Sequence, residues 1–594
     1  MRVADYIFES LINQGVDKVF SVSGRGALFL TDAVAKVKDR MDYVGMHHEQ
    51  AAGFAAIAYA EAKESYGVAL VSTGCASTNL VTAVLNAWQD NIPVIFISGQ
   101  NVLHETSNYS GLRLRTYGQQ EADIIPMVKS ITKFCHMVTS PNEVPEVVET
   151  ALRTAVSGRP GPVWIDVPLD IQSANLDSEL VPNLLDEYTD EEYELDSDGL
   201  SKLEELWESA LRPVVLIGSG IVSSKTENSL LAFSESLNLP IVYGNSAVDV
   251  CGFHPNAIGS VGAMGATRYG NFTLQNSDLV LVLGNRLNSY LTGNDFCDFA
   301  RAAKVVVVDI DELEHSKHGV NIDLFINIDL RHFFKSSFVK NAGVKNQIWL
   351  NQCREWKISL SHGFVQSPTS PIDLYELCSI YERRLPSECN VITDSGFIEV
   401  ILPTNILFKK GQKTIHPVSQ GAMGFALPAA IGAYEGNQKP TVVTVGDGSI
   451  MMNIQELLTI SHRNIPVLII VVNNDMYSII RRRQKELFRR RTIGTDKDNG
   501  VPTPSFRKIA ASFEIDYELS TNILEFEKAI EVSLKEMKKP KIIEVLGRED
   551  QKYLEIATTK LENGKYSRRP LEDQFPFLER DFFLSQMIIE PIKQ

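Results

Sequence analysis

The sequence predicts an α/β protein built from three doubly wound, parallel-sheet units. Three observations carry this reading. Short aliphatic or β-branched runs alternate with helix-periodic segments over residues 1–172, 198–340 and 371–560. In each unit a strand-like run enters a glycine turn: Ser23-Gly24-Arg25-Gly26, Gly218-Ser219-Gly220 and Gly446-Asp447-Gly448. Residues 173–197 are acidic and lack apolar periodicity, so they read as a linker, and a second linker is placed near 355–370.

Composition narrows the function classes. The length of 594 residues suits three or four domains. A formal net charge of −17 argues against a general nucleic-acid binder. No apolar run is long enough to span a bilayer. The first residues, MRVADYIFESLINQGV, carry Asp5 and Glu9 inside an apolar stretch whose Val3, Ile7 and Leu11 share a helix face. They read as an amphipathic helix and not as a signal peptide. The seven cysteines are scattered without CxxC spacing, which suits reduced thiols in a cytoplasmic setting.

The most informative stretch is 441–480. Residues 441–445 form a β-branched run, Gly446-Asp447-Gly448 breaks it, and 454–461 carry helical periodicity. Pro466 opens a second apolar run, 467–472, which ends at Asn473-Asn474. Asp447 and Asn474 thus lie just past the carboxyl ends of strands, the edge where open parallel sheets bind ligands. A carboxylate and an amide oxygen suit Mg²⁺, and glycines let backbone approach a phosphate. Taken alone, GDG reads as a plain turn and NN as a strand end.

Together, the GDG and NN elements resemble the motif of thiamine diphosphate (ThDP) enzymes, and GDGSIMMNIQEL is similar to the acetolactate synthase (acetohydroxyacid synthase) family. The resemblance implies Rossmann-like pyrimidine-binding, central and diphosphate-binding domains. It implies that Asp447, the Asn474 side chain and the Met476 carbonyl hold the metal, with Gly446, Gly448 and Ser449 against the diphosphate.

The remaining motifs follow in chain order. The Gly24 loop resembles a phosphate cradle, although the family's Pro-Gly-Gly is altered and a tight turn reads as well. In MHHEQAAGFAAIAYA, residues 46–60, Glu49 opens an Ala-rich helix. A helix-start Glu is ordinarily a favourable dipole contact. Close packing there would desolvate its carboxylate and raise its pKa. The match to the family's HEQ motif implies that Glu49 hydrogen-bonds the aminopyrimidine ring and promotes the cofactor's reactive form. VSTGCASTNLVTAVLNAWQDNIPVIFISGQ, residues 71–100, resembles the family's SGPGATNLVTG run, with Thr78 and Asn79 at cofactor positions. Cys75 departs from it and reads as a loop filler. YGQQEADIIPMVKSITK, residues 117–133, resembles a segment whose Gln and Lys, here Gln120 and Lys133, lie near the reacting substrate. Lys133 reads otherwise as a solvated charge.

In the second unit Gly218, Gly220, Arg286 and Asp309 match the family's pattern for FAD bound without redox use. Ser289 and Tyr290 replace a charged Asp-Arg pair. In the third unit VITDSGFIEV keeps Gly396 of a GQHQ turn but not the three residues after it. HPVSQGAMGFALPAAIGA places Gly421 and Met423 at the cofactor, with Met423 holding it bent. Arg481–Arg483 and Arg489–Arg491 form basic triplets in an acidic chain. Guanidinium groups beside the site edge suit a phosphate or carboxylate, and a solvated face is the plain alternative. Residues 561–594 form an aromatic-rich tail expected to pack over the active site.

The expected activity is decarboxylation of pyruvate, with transfer of the two-carbon unit to an acceptor carbonyl. The expected cofactors are ThDP, Mg²⁺ and FAD, and the expected assembly is a homodimer or homotetramer, the need for a regulatory subunit being left open. The acceptor is a second 2-oxo acid or, as the altered turn, the Arg triplet and the tail suggest, a nucleotide-linked keto sugar. A simple 2-oxo acid decarboxylase and a non-catalytic regulatory homologue are the remaining alternatives. Intact Glu49, Asp447, Asn474 and Met423 count against the last.

Overall fold

A computed structural model of the chain describes residues 1–177, 197–361, 371–560 and 566–592. Most of the acidic stretch 173–197 lies outside these residues. The helix Gln347–Ser359 occupies the start of the segment expected as a second linker.

Three six-stranded sheets form the framework. The first contains β1 (Lys18–Ser21), β2 (Asp42–Gly45), β3 (Gly67–Val71), β4 (Val94–Gln100), β5 (Phe134–Met137) and β6 (Val163–Pro168), in the order β2-β1-β3-β4-β6-β5. The second contains β7 (Pro213–Ile217), β8 (Ile241–Tyr243), β9 (Ala257–Ser260), β10 (Leu279–Leu283), β11 (Lys304–Asp309) and β12 (Leu324–Asn327), in the order β12-β11-β10-β7-β8-β9. The third contains β13 (Asn390–Thr393), β14 (Lys413–Ile415), β15 (Thr441–Gly446), β16 (Val467–Asn473), β17 (Asp516–Ser520) and β18 (Lys541–Leu546), in the order β14-β13-β15-β16-β18-β17. Every pairing in these sheets is parallel. The central strands are apolar throughout because helices cover both faces, as in β7, β10 and β16.

Each strand order has a central reversal, between β1 and β3, between β7 and β10, and between β13 and β15. The three glycine turns read from the sequence follow β1, β7 and β15, so each lies at a reversal.

Small residues dock the first domain on the third. The helix Glu49–Lys63 buries Ala51 through Ala60, and the helix Ala426–Asn437 is apolar nearly all round. A Cβ added to Gly432 would fall 1.9 Å from the Ala55 carbonyl oxygen, so only glycine admits this approach. Phe54 packs edge-on to Phe425 at 5.2 Å. One apolar core spans both domains, and a second joins the central and third domains.

The tail lies elsewhere than expected. Phe583 is buried against Phe272 of the central domain at 5.7 Å. Gln574 donates to the Gly262 carbonyl at 3.0 Å, and Glu572 accepts from Gln275 at 2.8 Å. The described part of the tail therefore anchors the central domain. It does not cover the edge that carries Asp447.

Candidate active site

The reversal between β13 and β15 is where a ligand site is expected in a sheet of this kind. Asp394 leaves the end of β13 and Asp447 the end of β15. Register pairs Gly446 with Val472, and the Asp447 N–H donates to the Val472 carbonyl at 3.1 Å. Asn474 therefore emerges one strand over, level with Asp447.

Asp447 is buried, with 4% of its surface exposed. Its carboxylate accepts from the Gly448 N–H at 2.8 Å and the Asn474 N–H at 3.3 Å. Burial outweighs these bonds and lifts its pKa to about 6. The Asn474 amide N–H groups go to Ser478 Oγ at 2.6 Å and to the Arg548 carbonyl at 3.3 Å. The Oδ1 atom is thereby left as the acceptor end. With the Met476 carbonyl two residues on, these are hard oxygen donors. Among the described residues no group of three or more His, Cys, Asp or Glu is placed to hold a metal. One carboxylate, one amide and one carbonyl fit a cation that takes its other ligands from phosphate and water, as Mg²⁺ does.

The glycines differ in what they do. A Cβ on Gly448 would lie 1.9 Å from Tyr477 Cε1, so that turn is closed by the tyrosine ring. Gly396 has φ +89° and nothing within 4 Å of a Cβ, which leaves open space above it. Gly421, at φ +54°, lies under the Glu399 carboxylate, and Met423 is half-buried beside it.

Asp394 ties these loops together and escaped the sequence reading. It is fully buried and accepts from Ser395 N at 2.7 Å, Gly424 N at 3.2 Å, Ala426 N at 2.9 Å and the Ser449 hydroxyl. One carboxylate thus fixes the Gly396, Gly424 and Ser449 turns in mutual register. Its only sequence signal is a charged residue directly after an apolar strand.

The first domain gathers a second group. Glu49 begins its helix, capped by His48, whose ring accepts from Gln50 N at 3.1 Å. Asn79 Nδ2 donates to Glu49 Oε2 at 2.8 Å, and Thr78 is its neighbour. A Cβ on Gly74 would meet the Gln120 carbonyl at 2.0 Å, so Gln120 joins this loop group. A Cβ on Gly24 would lie 2.5 Å from Ser72 Cβ, which explains that glycine by close packing. Lys133 is not part of the group. It precedes β5, at the opposite end of the sheet, and its amine donates to the Ser157 carbonyl. Burial pushes that amine down to about 8.

Two hydrogen bonds tie the start of the Glu49 helix to the third domain of the same chain. Gln50 accepts from Asn453 at 3.2 Å, and His47 N donates to Glu456 at 3.0 Å. Among the described residues, however, no hydrogen bond or ion pair joins Glu49 to Asp394, Asp447, Ser449 or Asn474. Glu49 is half-buried, so the burial expected for its carboxylate is not completed by its own chain.

The central-domain residues have protein partners. A Cβ on Gly218 or Gly220 would come within 2.5 Å of Gly284, so both glycines serve loop packing. Arg286 donates to the Gln89 carbonyl at 3.2 Å and to Ser419 Oγ at 2.6 Å, joining all three domains. Asp309 accepts from Asp311 N at 3.0 Å and lies 3.4 Å from His315. Each of these four residues thus has a partner within the protein.

The first Arg triplet is also committed. Arg481 pairs with Asp496 at 2.7 Å, Arg482 with Glu486 at 2.8 Å and with Glu555, and Arg483 with Glu555 at 3.1 Å. These pairs take up the charge that the sequence offered for gripping a phosphate.

Comparison with known proteins completes the site. Family descriptions match in three places: "Thiamine pyrophosphate enzyme, N-terminal TPP binding domain" over residues 1–127, the central domain of the same enzymes over 200–336, and their "C-terminal TPP binding domain" over 394–545. The chain is 30% identical over 525 residues to the acetolactate synthase large subunit of Parasynechococcus marenigrum (strain WH8102), covering 86% of this chain and 82% of that one. It is 29% identical over 539 residues to the acetolactate synthase isozyme 2 large subunit of Escherichia coli (strain K12), covering 90% and 93%. It is 29% identical over 533 residues to the probable acetolactate synthase large subunit of Methanocaldococcus jannaschii, covering 87% of each. No helix among the described residues is long and apolar enough to cross a membrane.

Proposed function

This chain belongs to the acetolactate synthase family of thiamine pyrophosphate enzymes, and from that premise we propose that it decarboxylates pyruvate and transfers the two-carbon unit to the carbonyl of an acceptor. The observation that carries the reading is the convergence of Asp394, Ser449, Asp447 and Asn474 at one strand reversal, with the N–H groups of the Gly396, Gly424 and Gly448 turns around them.

Asp447, Asn474 Oδ1 and the Met476 carbonyl would hold Mg²⁺ against the cofactor's diphosphate. Bound ThDP supplies the electron sink for decarboxylation, and the protein orients the reactants and keeps water out. Glu49 would hold and move a proton at the aminopyrimidine ring. Asn79 keeps that carboxylate oriented. Gln120 would line the mouth beside it. Lys133 has no support from its position in this chain. Only the resemblance supports FAD, as a non-redox occupant of the central domain. Flavin absorbance of the purified protein decides it.

The acceptor that the relatives' names suggest is a second pyruvate, giving acetolactate. The nucleotide-linked keto sugar loses the support of the Arg triplet and keeps that of the altered turn at 397–399.

The resemblance supports a homodimer or homotetramer as the working unit, with Glu49 of one copy completing the site of another. Co-expression of Glu49→Gln with Asp447→Ala tests this. Each variant alone is expected to be nearly inactive. In a symmetric dimer, random mixing should restore about a quarter of wild-type turnover, because mixed dimers keep one intact site. No restoration in a mixture shown to contain mixed dimers would overturn the composite site.

A further inference from the structure

Where the relatives' turn is altered, this chain places a carboxyl group. Glu399 lies on the first turn of the helix Phe397–Asn405, which follows β13 at the strand reversal. Gly396, its helix cap, leaves open space above the turn. The Glu399 Oε2 atom lies 2.9 Å from the position a Cβ would take on Gly421, so the carboxyl spreads over the loop that leads to Met423 and Gly424.

No hydrogen bond or ion pair to this carboxyl occurs among the described residues. The neighbouring carboxylates, by contrast, are fully occupied: Asp394 as described, and Asp90 by the Ser419 N–H at 3.1 Å and the Asn86 amide at 2.6 Å. Neither Glu399 oxygen is sealed from solvent, since neither is among the buried polar atoms left unpaired. A side chain that is largely buried, unpaired and still reachable is placed to meet a ligand.

The groups that face Glu399 share one character. They are Asp90 at the end of the helix Val81–Asp90, Asp394 at the end of β13, and the phenol of Tyr290 from the helix Ser289–Thr292. The Arg286 guanidinium, which interacts with Asp90, is turned to Gln89 and Ser419. Burial, then the two carboxylates, push the Glu399 carboxyl well above its ordinary range. Both causes favour the neutral carboxylic acid over the carboxylate. A carboxylic acid donates a hydrogen bond, whereas a carboxylate only accepts.

We propose that Glu399 is the acid of the transfer step, donating its proton to the carbonyl oxygen of the acceptor. This rests on the reading above. A bond forms between the donor carbon of the two-carbon unit and the acceptor's carbonyl carbon. The carbonyl π pair moves to the acceptor oxygen, which takes the Glu399 proton and becomes a hydroxyl. The resulting carboxylate then takes the proton of the donor's hydroxyl as that oxygen becomes the product ketone. When bound, ThDP would serve as the leaving group and take back its electron pair. Glu399 ends the cycle protonated.

The test supplies wild type, Glu399→Gln and Glu399→Asp with ThDP, Mg²⁺, pyruvate as donor and acetaldehyde as acceptor probe. It reads carbon dioxide, acetoin and acetolactate across pH. General acid catalysis contributes about 10²–10⁴-fold, so Glu399→Gln should lower the ratio of transferred product to carbon dioxide roughly a hundredfold. The wild-type ratio should fall at high pH, as the acid ionises, and the glutamine variant should lose that dependence. Glu399→Asp, which keeps an acid, should recover part of the ratio and its pH profile. A ratio in Glu399→Gln within about twofold of wild type, far short of a general acid's share, would overturn the proposal. So would transfer in the glutamine variant that keeps the wild-type pH profile. A wild type that releases no ThDP-dependent carbon dioxide would instead overturn the parent reading.

Discussion

Replacing Asp394 with asparagine probes the residue that holds three cofactor loops in register. The carboxylate accepts from three backbone N–H groups and the Ser449 hydroxyl, at a site with no exposed surface. Asparagine keeps one acceptor oxygen and turns an N–H₂ group toward the donors that bonded the other. A buried donor left unpaired costs about 1–3 kcal/mol. The Ala426 N–H bonds one oxygen and the other three donors share its partner. At least one donor is therefore lost, and a net cost of about 2 kcal/mol follows. The loops that shift are those proposed to approach the diphosphate, so the cost should appear as ThDP affinity weakened by about 30-fold. Titration of ThDP by protein fluorescence, with Mg²⁺ saturating, measures this. Ser449→Ala removes one bond of the set and should weaken binding about fivefold, the equivalent of ~1 kcal/mol. Affinity of Asp394→Asn within about threefold of wild type, under 1 kcal/mol, would refute the idea that this carboxylate organises the loops.

Two further outcomes are expected. Gly448→Ala places a Cβ 1.9 Å from the Tyr477 ring; overpacking of this kind costs about 1–3 kcal/mol, and calorimetric titration should show weakened Mg²⁺–ThDP binding that Tyr477→Ala partly restores. Asp166 is buried beneath the first domain between Ser98 Oγ at 2.6 Å and Gln100 Nε2 at 3.2 Å, and burial raises it to about 7. Its folded value lies above the unfolded one, so the folded state holds the proton longer, and stability falls as pH rises from about 4 through about 7. Thermal midpoints should drop between about pH 4 and about pH 7 in wild type and drop less in Asp166→Asn; equal slopes would contradict the assignment.

The fold was legible because its signals are local. Apolar runs ended by glycine turns mark β1, β7 and β15, and the alternation with helices compels parallel sheets. The Ala-rich run after Glu49 announced close helix packing, which Gly432 and Ala55 deliver. Asp447 and Asn474 were legible for the same reason, each lying one step past a strand. What sequence did not show depends on contacts between distant segments. Asp394 gains its role from turns about 30 and 55 residues away, as its bonds to Gly424 and Ser449 show. Lys133 and Glu49 share a domain, yet the sheet puts them at opposite ends. The Arg triplet looked free in the sequence because Glu555, which pairs with Arg482 and Arg483, lies about 70 residues further along the chain. The tail's destination on the central domain follows from Glu572, Gln574 and Phe583, whose partners lie about 300 residues earlier.

The most direct test of the account is product analysis of the purified protein with ThDP, Mg²⁺ and pyruvate, beside Asp447→Ala. The account predicts carbon dioxide release that needs both cofactors, is lost in Asp447→Ala, and is accompanied by acetolactate or, once an acceptor carbonyl is added, by its two-carbon adduct. Pyruvate left unconsumed by wild type saturated with both cofactors would contradict it.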